Sequence, residues 1–202
     1  MGLSRNSGVA FSRGRFIAFS DADNLYSRNW LTDALERLIG GGHHEILHPA
    51  IILNFEAKNV IWRLMSSEDP SFDPRGMVEH NYWDAVCIAP REAFEQFPYA
   101  PSSAGPGFGP EDWHWNCETL AGGWQHNPVP RTAMFYRVKV TGSLALHHEN
   151  SGALLAPTTL LSPSSPAADA RPVADRPVQQ LPPRVMRSDR PGAGSTRPGA
   201  PC

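Results

Sequence analysis

A chain of 202 residues, 41% of them hydrophobic, is long enough for one domain with a buried core, and its formal net charge of -2 excludes the broad positive field of a general nucleic-acid binder. The apolar material is unevenly placed, because all nineteen Phe, Trp and Tyr residues precede Pro157, whereas residues 157–202 hold ten of the twenty prolines and six arginines. Such a stretch cannot bury enough surface to offset the entropy of ordering it, so the sequence divides into a folded part, 1–156, and a Pro/Ala/Arg-rich disordered tail, 157–202.

Cys87, Cys117 and Cys202 form no close pair and indicate neither a disulfide framework nor a structural zinc site, which fits a cytoplasmic location. No run approaches the length of a membrane span, so the chain reads as soluble or peripheral at a membrane.

In chain order, Arg15 to Ser20 reads as a short buried parallel strand that ends in the polar cluster Asp21, Ala22, Asp23, Asn24. With Ser27 as N-cap, Leu31, Ala34, Leu35, Leu38 and Ile39 recur at helical spacing until Gly40 to Gly42 stop them. Glu45 to Phe55 predicts a strand interrupted or edged by Pro49, and Ala57 to Ser67 carries a weaker helical pattern. Ala85 to Ala89 predicts a buried strand running into a short helix at Pro90, Arg91 and Glu92. A loop with three glycines and three prolines, Pro101 to Pro110, then gives way to a helix from Pro110 that Gly122 and Gly123 close. Glu111 and Asp112 fall in its first turn, where the helix dipole favours their ionised forms.

Two sets of residues could carry chemistry. Asp21 and Asp23, at i and i+2 where a strand ends, can both reach a hard divalent cation; they also suit an ordinary polar turn. Glu111 and Asp112 follow a Gly-rich loop at a helix start, where an ionised carboxylate can serve as general base or simply satisfy helix-start charge preference. Trp113, Trp115 and Trp124 read first as core residues and second as a sugar-stacking platform.

Arg5, Asn6 and Gly8, followed by FSRGRFIAFSDADN, and downstream GFGPEDWHWNCETLAGGWQHNPVP, resemble in order the blocks of the family 2 glycosyltransferases of the GT-A fold, from about Leu3 to about Tyr136. Ser12 stands where the family favours a smaller residue such as Ala, and Asn24 where another Asp is common. The resemblance implies an α/β fold, a partial Rossmann-like GT-A sandwich followed by the tail. It implies transfer of a sugar from a nucleotide-sugar donor to a hydroxyl acceptor in polysaccharide or glycan assembly, dependent on Mn2+ or Mg2+ and inverting. By the same resemblance Arg5, Asn6, Asp21 and Asp23 bind the donor. Asp21 and Asp23 hold the metal, Asp112 is the base, and Glu111 orients the acceptor or its loop. A late histidine, His148 or its neighbour His147, is a candidate further ligand, although adjacent histidines bordering a tail are often just exposed. The resemblance begins only just before the Asp-x-Asp strand, so the family's first strands, which hold base and ribose, are expected to be absent and activity impaired. Both ends could reflect an incorrect gene boundary. The alternatives are a non-catalytic interaction protein or an inactive remnant, and, more remotely, a phosphoryl-transfer hydrolase, which would want Thr or Val where Leu25 stands.

Overall fold

The computed structural model describes residues 1–41, 43–102, 107–142 and 152–162. In chain order it contains α1 (Gly2–Phe11), β1 (Phe16–Phe19), β2 (Leu25–Tyr26), α2 (Trp30–Ile39), β3 (Glu45–Glu56), β4 (Ile61–Arg63), a 3-10 turn (Pro74–Val78), β5 (Cys87–Pro90), α3 (Arg91–Gln96), α4 (Glu111–Ala121) and β6 (Gln125–Val138). The fold is mixed α/β. One sheet runs in the order β1-β5-β3-β6-β2, with β4 added to the second half of β3.

Alternation along the strands explains how this sheet becomes the middle of a sandwich. Ile46 of β3 and Cys87 and Ala89 of β5 face one way and pack with Val9, Phe94, Tyr99, Trp115 and Trp124. Leu47 and Ile88, one residue on, face the other way and meet Trp30, Ala34 and Leu38 of α2. Both faces are covered, which is why β3 and β5 read as nearly unbroken apolar runs. A third cluster joins Met77, Trp83, Cys117 and Leu160.

β1 differs from its expected form. It is an edge strand whose neighbour β5 is antiparallel, Phe16 opposite Pro90 and Phe19 opposite Cys87, although it runs in the same sense as the parallel pair β3 and β6. Of its four residues only Ile17 is buried and Ala18 is exposed, so the apolar run reports neither full burial nor the direction of a neighbour. Pro49 does not end β3: its missing N–H is accommodated by a register shift against β6 between Pro49 and Ile51, and the next amide, Ala50 N–H, donates to Thr132 Oγ1 at 3.0 Å.

The helical pattern expected over 57–67 is instead a hairpin, with β4 paired to Ile51–Leu53 and Asn54 N–H donating to the Val60 carbonyl. β-branched Val60 and Ile61 suit that strand better than a helix. Ser27 caps no helix; the N-cap is Asn29, and the Ser27 hydroxyl accepts from Ala133 N–H. Helix α1 has no apolar stripe to announce it. It docks through Gly2, Arg5 and Val9, and a Cβ at Gly2 would lie 2.1 Å from the Ala100 carbonyl oxygen. Packing also continues beyond Ala156, the expected limit of the folded part: Leu160 is 4% exposed, and Thr159 bonds the Glu118 carboxylate through its N–H and hydroxyl. Among the described residues no helix is long and apolar enough to cross a membrane.

Candidate active site

The carboxyl ends of β1 and β6 and the amino end of β5 share one end of the sheet, since β1 and β6 run together and β5 runs against them. Ligands of open α/β sheets gather at such an end. Here a cavity of about 740 Å³ opens, lined by the β1 cluster Asp21 to Asp23, the 3-residue approach to β5 from Trp83, the start of α4, the end of β6, and Arg5. The two acidic blocks, about ninety residues apart in the chain, thus share one cavity.

Arg5 lies between them. Its side chain is 9% exposed, with Nη2 3.7 Å from Asp21 Oδ1 and Nη1 3.8 Å from Glu111 Oε1, ion-pair distances too long for hydrogen bonds. Nη1 has no hydrogen-bond partner among the described residues. Burial opposes its charge, but Tyr99, Asp112, Glu111 and Asp21 outweigh that and hold the guanidinium above its usual range. A charged, incompletely bonded Arg on the wall of an acidic cavity is chemically suited to an anionic oxygen. Asn6, expected on the donor, is not part of the lining: its amide donates to the Tyr99 carbonyl at 2.8 Å and accepts from the Tyr99 N–H at 2.9 Å. Both bonds fasten α1 to the segment after α3, which fixes Arg5 in place.

Asp21 and Asp23 differ in environment. Burial raises the Asp21 carboxyl above the ordinary carboxylate range, with Arg5 opposing and Asp23 and Glu111 adding. A hydrogen bond from Lys139, 2.6 Å from Asp23 Oδ2, lowers Asp23. Asn24, next in the cluster, is buried and structural, its Oδ1 accepting the Arg137 N–H at 3.2 Å.

On the other wall, Pro110 starts α4 and places Glu111 and Asp112 in its first turn, as the spacing implies. Glu111 is buried at 5% exposure. The Asp112 carboxyl, however, is raised rather than depressed: desolvation outweighs Arg5 and the backbone N–H bonds at the helix start, and the Glu111 charge adds to it. A raised carboxyl is closer to the working pH of a general base. Trp115 and Trp124 are core residues, 2% and 1% exposed, whereas Trp113 lines the cavity with its indole N–H donating to the Met77 carbonyl at 2.9 Å. His114 stands apart, its Nε2 3.3 Å from the Pro157 carbonyl oxygen.

Three groups escaped the sequence reading. Asp84 lines the cavity just ahead of β5; burial, with Asp112 and Asp21 adding, pushes it up to about 7. Behind it lie His48 and His126, both 0% exposed. A carbonyl can only accept, so His48 Nδ1–H donates to the Val86 carbonyl at 2.9 Å, leaving Nε2 to accept from His126 Nδ1–H at 3.0 Å. His126 Nε2 then meets the Thr119 hydroxyl of α4 at 2.9 Å, whose one proton has the Trp115 carbonyl, 2.8 Å away, as a second acceptor. The Trp83 ring stacks on His126 with centroids 4.1 Å apart. Burial depresses both rings, His48 to about 4, so they are neutral near pH 7. The detectable signal in the sequence was His48 inside the apolar run from Glu45 to Phe55, where only a bonded neutral ring fits; His126, between Gln125 and Asn127, gave none.

Among the described residues no group of three or more His, Cys, Asp or Glu forms a cage for a metal ion. His147 and His148 lie outside the described residues. Asp21 and Asp23 nevertheless fit a hard divalent ion in donor chemistry, since Mg2+-type ions are commonly held by one or two carboxylates plus substrate phosphates. Lys139 occupies the Asp23 oxygen now and would have to release it.

No curated protein matches this chain. Residues 1–98 match the family model described as glycosyl transferase family 2, a span that takes in α1, Asp21, Asp23 and Asp84 and stops short of α4. Over residues 1–98, just under half of its length, the chain is similar to glycosyl transferase family 2.

Proposed function

We propose that the cavity catalyses metal-dependent, inverting transfer of a sugar from a nucleotide-sugar donor to a hydroxyl acceptor. The observation that carries this reading is the meeting of Asp21 and Asp23 with Glu111 and Asp112 around Arg5 in one cavity of about 740 Å³. On this reading Asp21 and Asp23 would hold Mn2+ or Mg2+, which would supply Lewis-acid stabilisation of the leaving group's charge. Arg5 Nη1 takes a diphosphate oxygen. Asp112 accepts the proton of the acceptor hydroxyl as that oxygen bonds to the anomeric carbon and the bond to the diphosphate breaks, the nucleoside diphosphate leaving with the electron pair. A single displacement of this kind inverts the anomeric centre. Glu111, held near Arg5, fixes the start of α4 and with it the reach of Asp112.

Asp112→Asn is the direct test. It should leave nucleoside-diphosphate affinity within about threefold and lower transfer at least ~100-fold, the scale of lost general-base catalysis. Transfer at the wild-type rate would remove Asp112 from the mechanism.

A further inference from the structure

One carboxyl of the cavity has no part in that reaction. Asp84 belongs to neither acidic block, yet lines the same cavity as Asp112 and Asp21. Its Oδ1 accepts the Val86 N–H at 3.2 Å, a turn that holds the carboxyl against the wall. On the far side of the same segment the Val86 carbonyl receives His48 Nδ1–H, and the bonds continue through His126 to Thr119, eight positions into the helix that starts at Glu111. Asp84 and Asp112 are therefore set in one hydrogen-bonded frame and not on independent loops.

Asp84 lines the cavity together with Asp112, and its carboxyl, pushed up to about 7 by burial, accepts from a hydroxyl in either form and in its neutral form also donates. In the transfer reading a diphosphate oxygen would be met by Arg5 and by a metal that Asp21 and Asp23 would hold. The ligand group that matches Asp84 is a neutral hydroxyl, which also both donates and accepts. Building on the transfer reading, we propose that Asp84 binds a second hydroxyl of the acceptor beside the one that Asp112 deprotonates. The acceptor is then a sugar or polyol with neighbouring hydroxyls, not a monohydric alcohol.

The test uses the full chain and binding, not turnover. Methyl gluco-, galacto- and mannopyranosides, their monodeoxy derivatives and cyclohexanol are titrated by saturation-transfer NMR. At least one methyl hexoside should bind while cyclohexanol does not, and removing one particular hydroxyl should weaken binding about tenfold. In Asp84→Ala that same deoxy sugar should bind as well as its parent, because the partner of the missing hydroxyl is gone; Asp84→Asn should restore the discrimination. A purely structural role would weaken all the sugars together and leave the discrimination intact. That outcome, equal binding of cyclohexanol, or no hexoside binding by the wild type overturns the proposal. Calorimetry of UDP and GDP with Mn2+ on the same proteins separates the two readings. Nucleotide binding without the deoxy coupling overturns the Asp84 assignment alone, whereas the coupling without nucleotide binding supports it while removing the transfer reading.

Discussion

The buried His48 and His126 pair predicts a specific pH dependence of stability. An unfolded histidine titrates near 6.5, and His48 in the fold near 4, so between these values the unfolded chain binds a proton that the folded chain refuses. The resulting stability is fully present above about pH 6.5 and is lost as the pH falls towards 4; it amounts to about 3 kcal/mol in full, most of it lost between pH 7.5 and 4.5. Asp84 works in the opposite sense. Its folded value near 7 lies above the ordinary 3.8, so its penalty is present above pH 7 and is relieved on acidification. Its relief is reduced by its partial exposure to the cavity, and it partly masks the histidine effect in the wild type. The informative perturbation is therefore His48→Gln, whose amide can donate to the Val86 carbonyl and accept from His126 without a titratable ring. Urea unfolding followed by tryptophan fluorescence at pH 7.5 and 4.5 measures it, with an unchanged slope in urea as the check on two-state behaviour. Acidification should cost the wild type about 2–3 kcal/mol more than it costs His48→Gln. A difference under about 0.5 kcal/mol, the limit of additivity for independent changes, would refute a neutral, desolvated His48.

Asp23→Asn should reduce Mn2+-dependent binding of a nucleoside diphosphate by about tenfold or more while leaving binding in chelator little changed, read by calorimetry; equal loss in both conditions would place Asp23 on the nucleotide and not on the ion. Gly2→Ala should destabilise the fold by about 1–3 kcal/mol, because the new methyl meets the Ala100 backbone carbonyl at 2.1 Å and backbone cannot swing aside as a side-chain tip can. An unchanged denaturation midpoint would show that α1 is not docked as described.

Elements with a strong period were legible in the sequence. α2 shows its stripe of Ala34 and Leu38, and α4 is bounded by Pro110 and Gly122 as its residues require. β3 and β5 stand out as apolar runs, and Pro49 marked the point where the β3–β6 register shifts. What sequence could not give was whatever depends on a partner far along the chain. The antiparallel pairing of β1 is set by β5, and α1 is held by Arg5, Asn6 and Tyr99 with hardly any apolar face. The acidic pairs were visible because each is local. Asp84 was not, since a single aspartate before a strand looks like any turn until the fold brings it into one cavity with the start of α4. Lys139 was equally hidden, a surface lysine by composition that the end of β6 delivers to Asp23.

The same distinction bears on how the two halves of the cavity act together. The family match covers α1, the Asp21 and Asp23 cluster and Asp84, but α4 and β6 lie outside it, so the unity of the site rests on the contacts between the halves. Three links supply it. The antiparallel pairing of β2 with β6 brings the end of β6, with Lys139, to the Asp21 to Asp23 turn that precedes β2. Arg5 puts one cation between Asp21 and Glu111 and lessens the repulsion of carboxylates drawn from both halves. The bonds from Val86 through His48 and His126 to Thr119 tie the approach to β5 to α4. Only the first belongs to the sheet itself. The other two consist of buried polar groups, which cost stability unless every bond is made, so a site held by them loses its geometry when one member is removed instead of loosening by degrees.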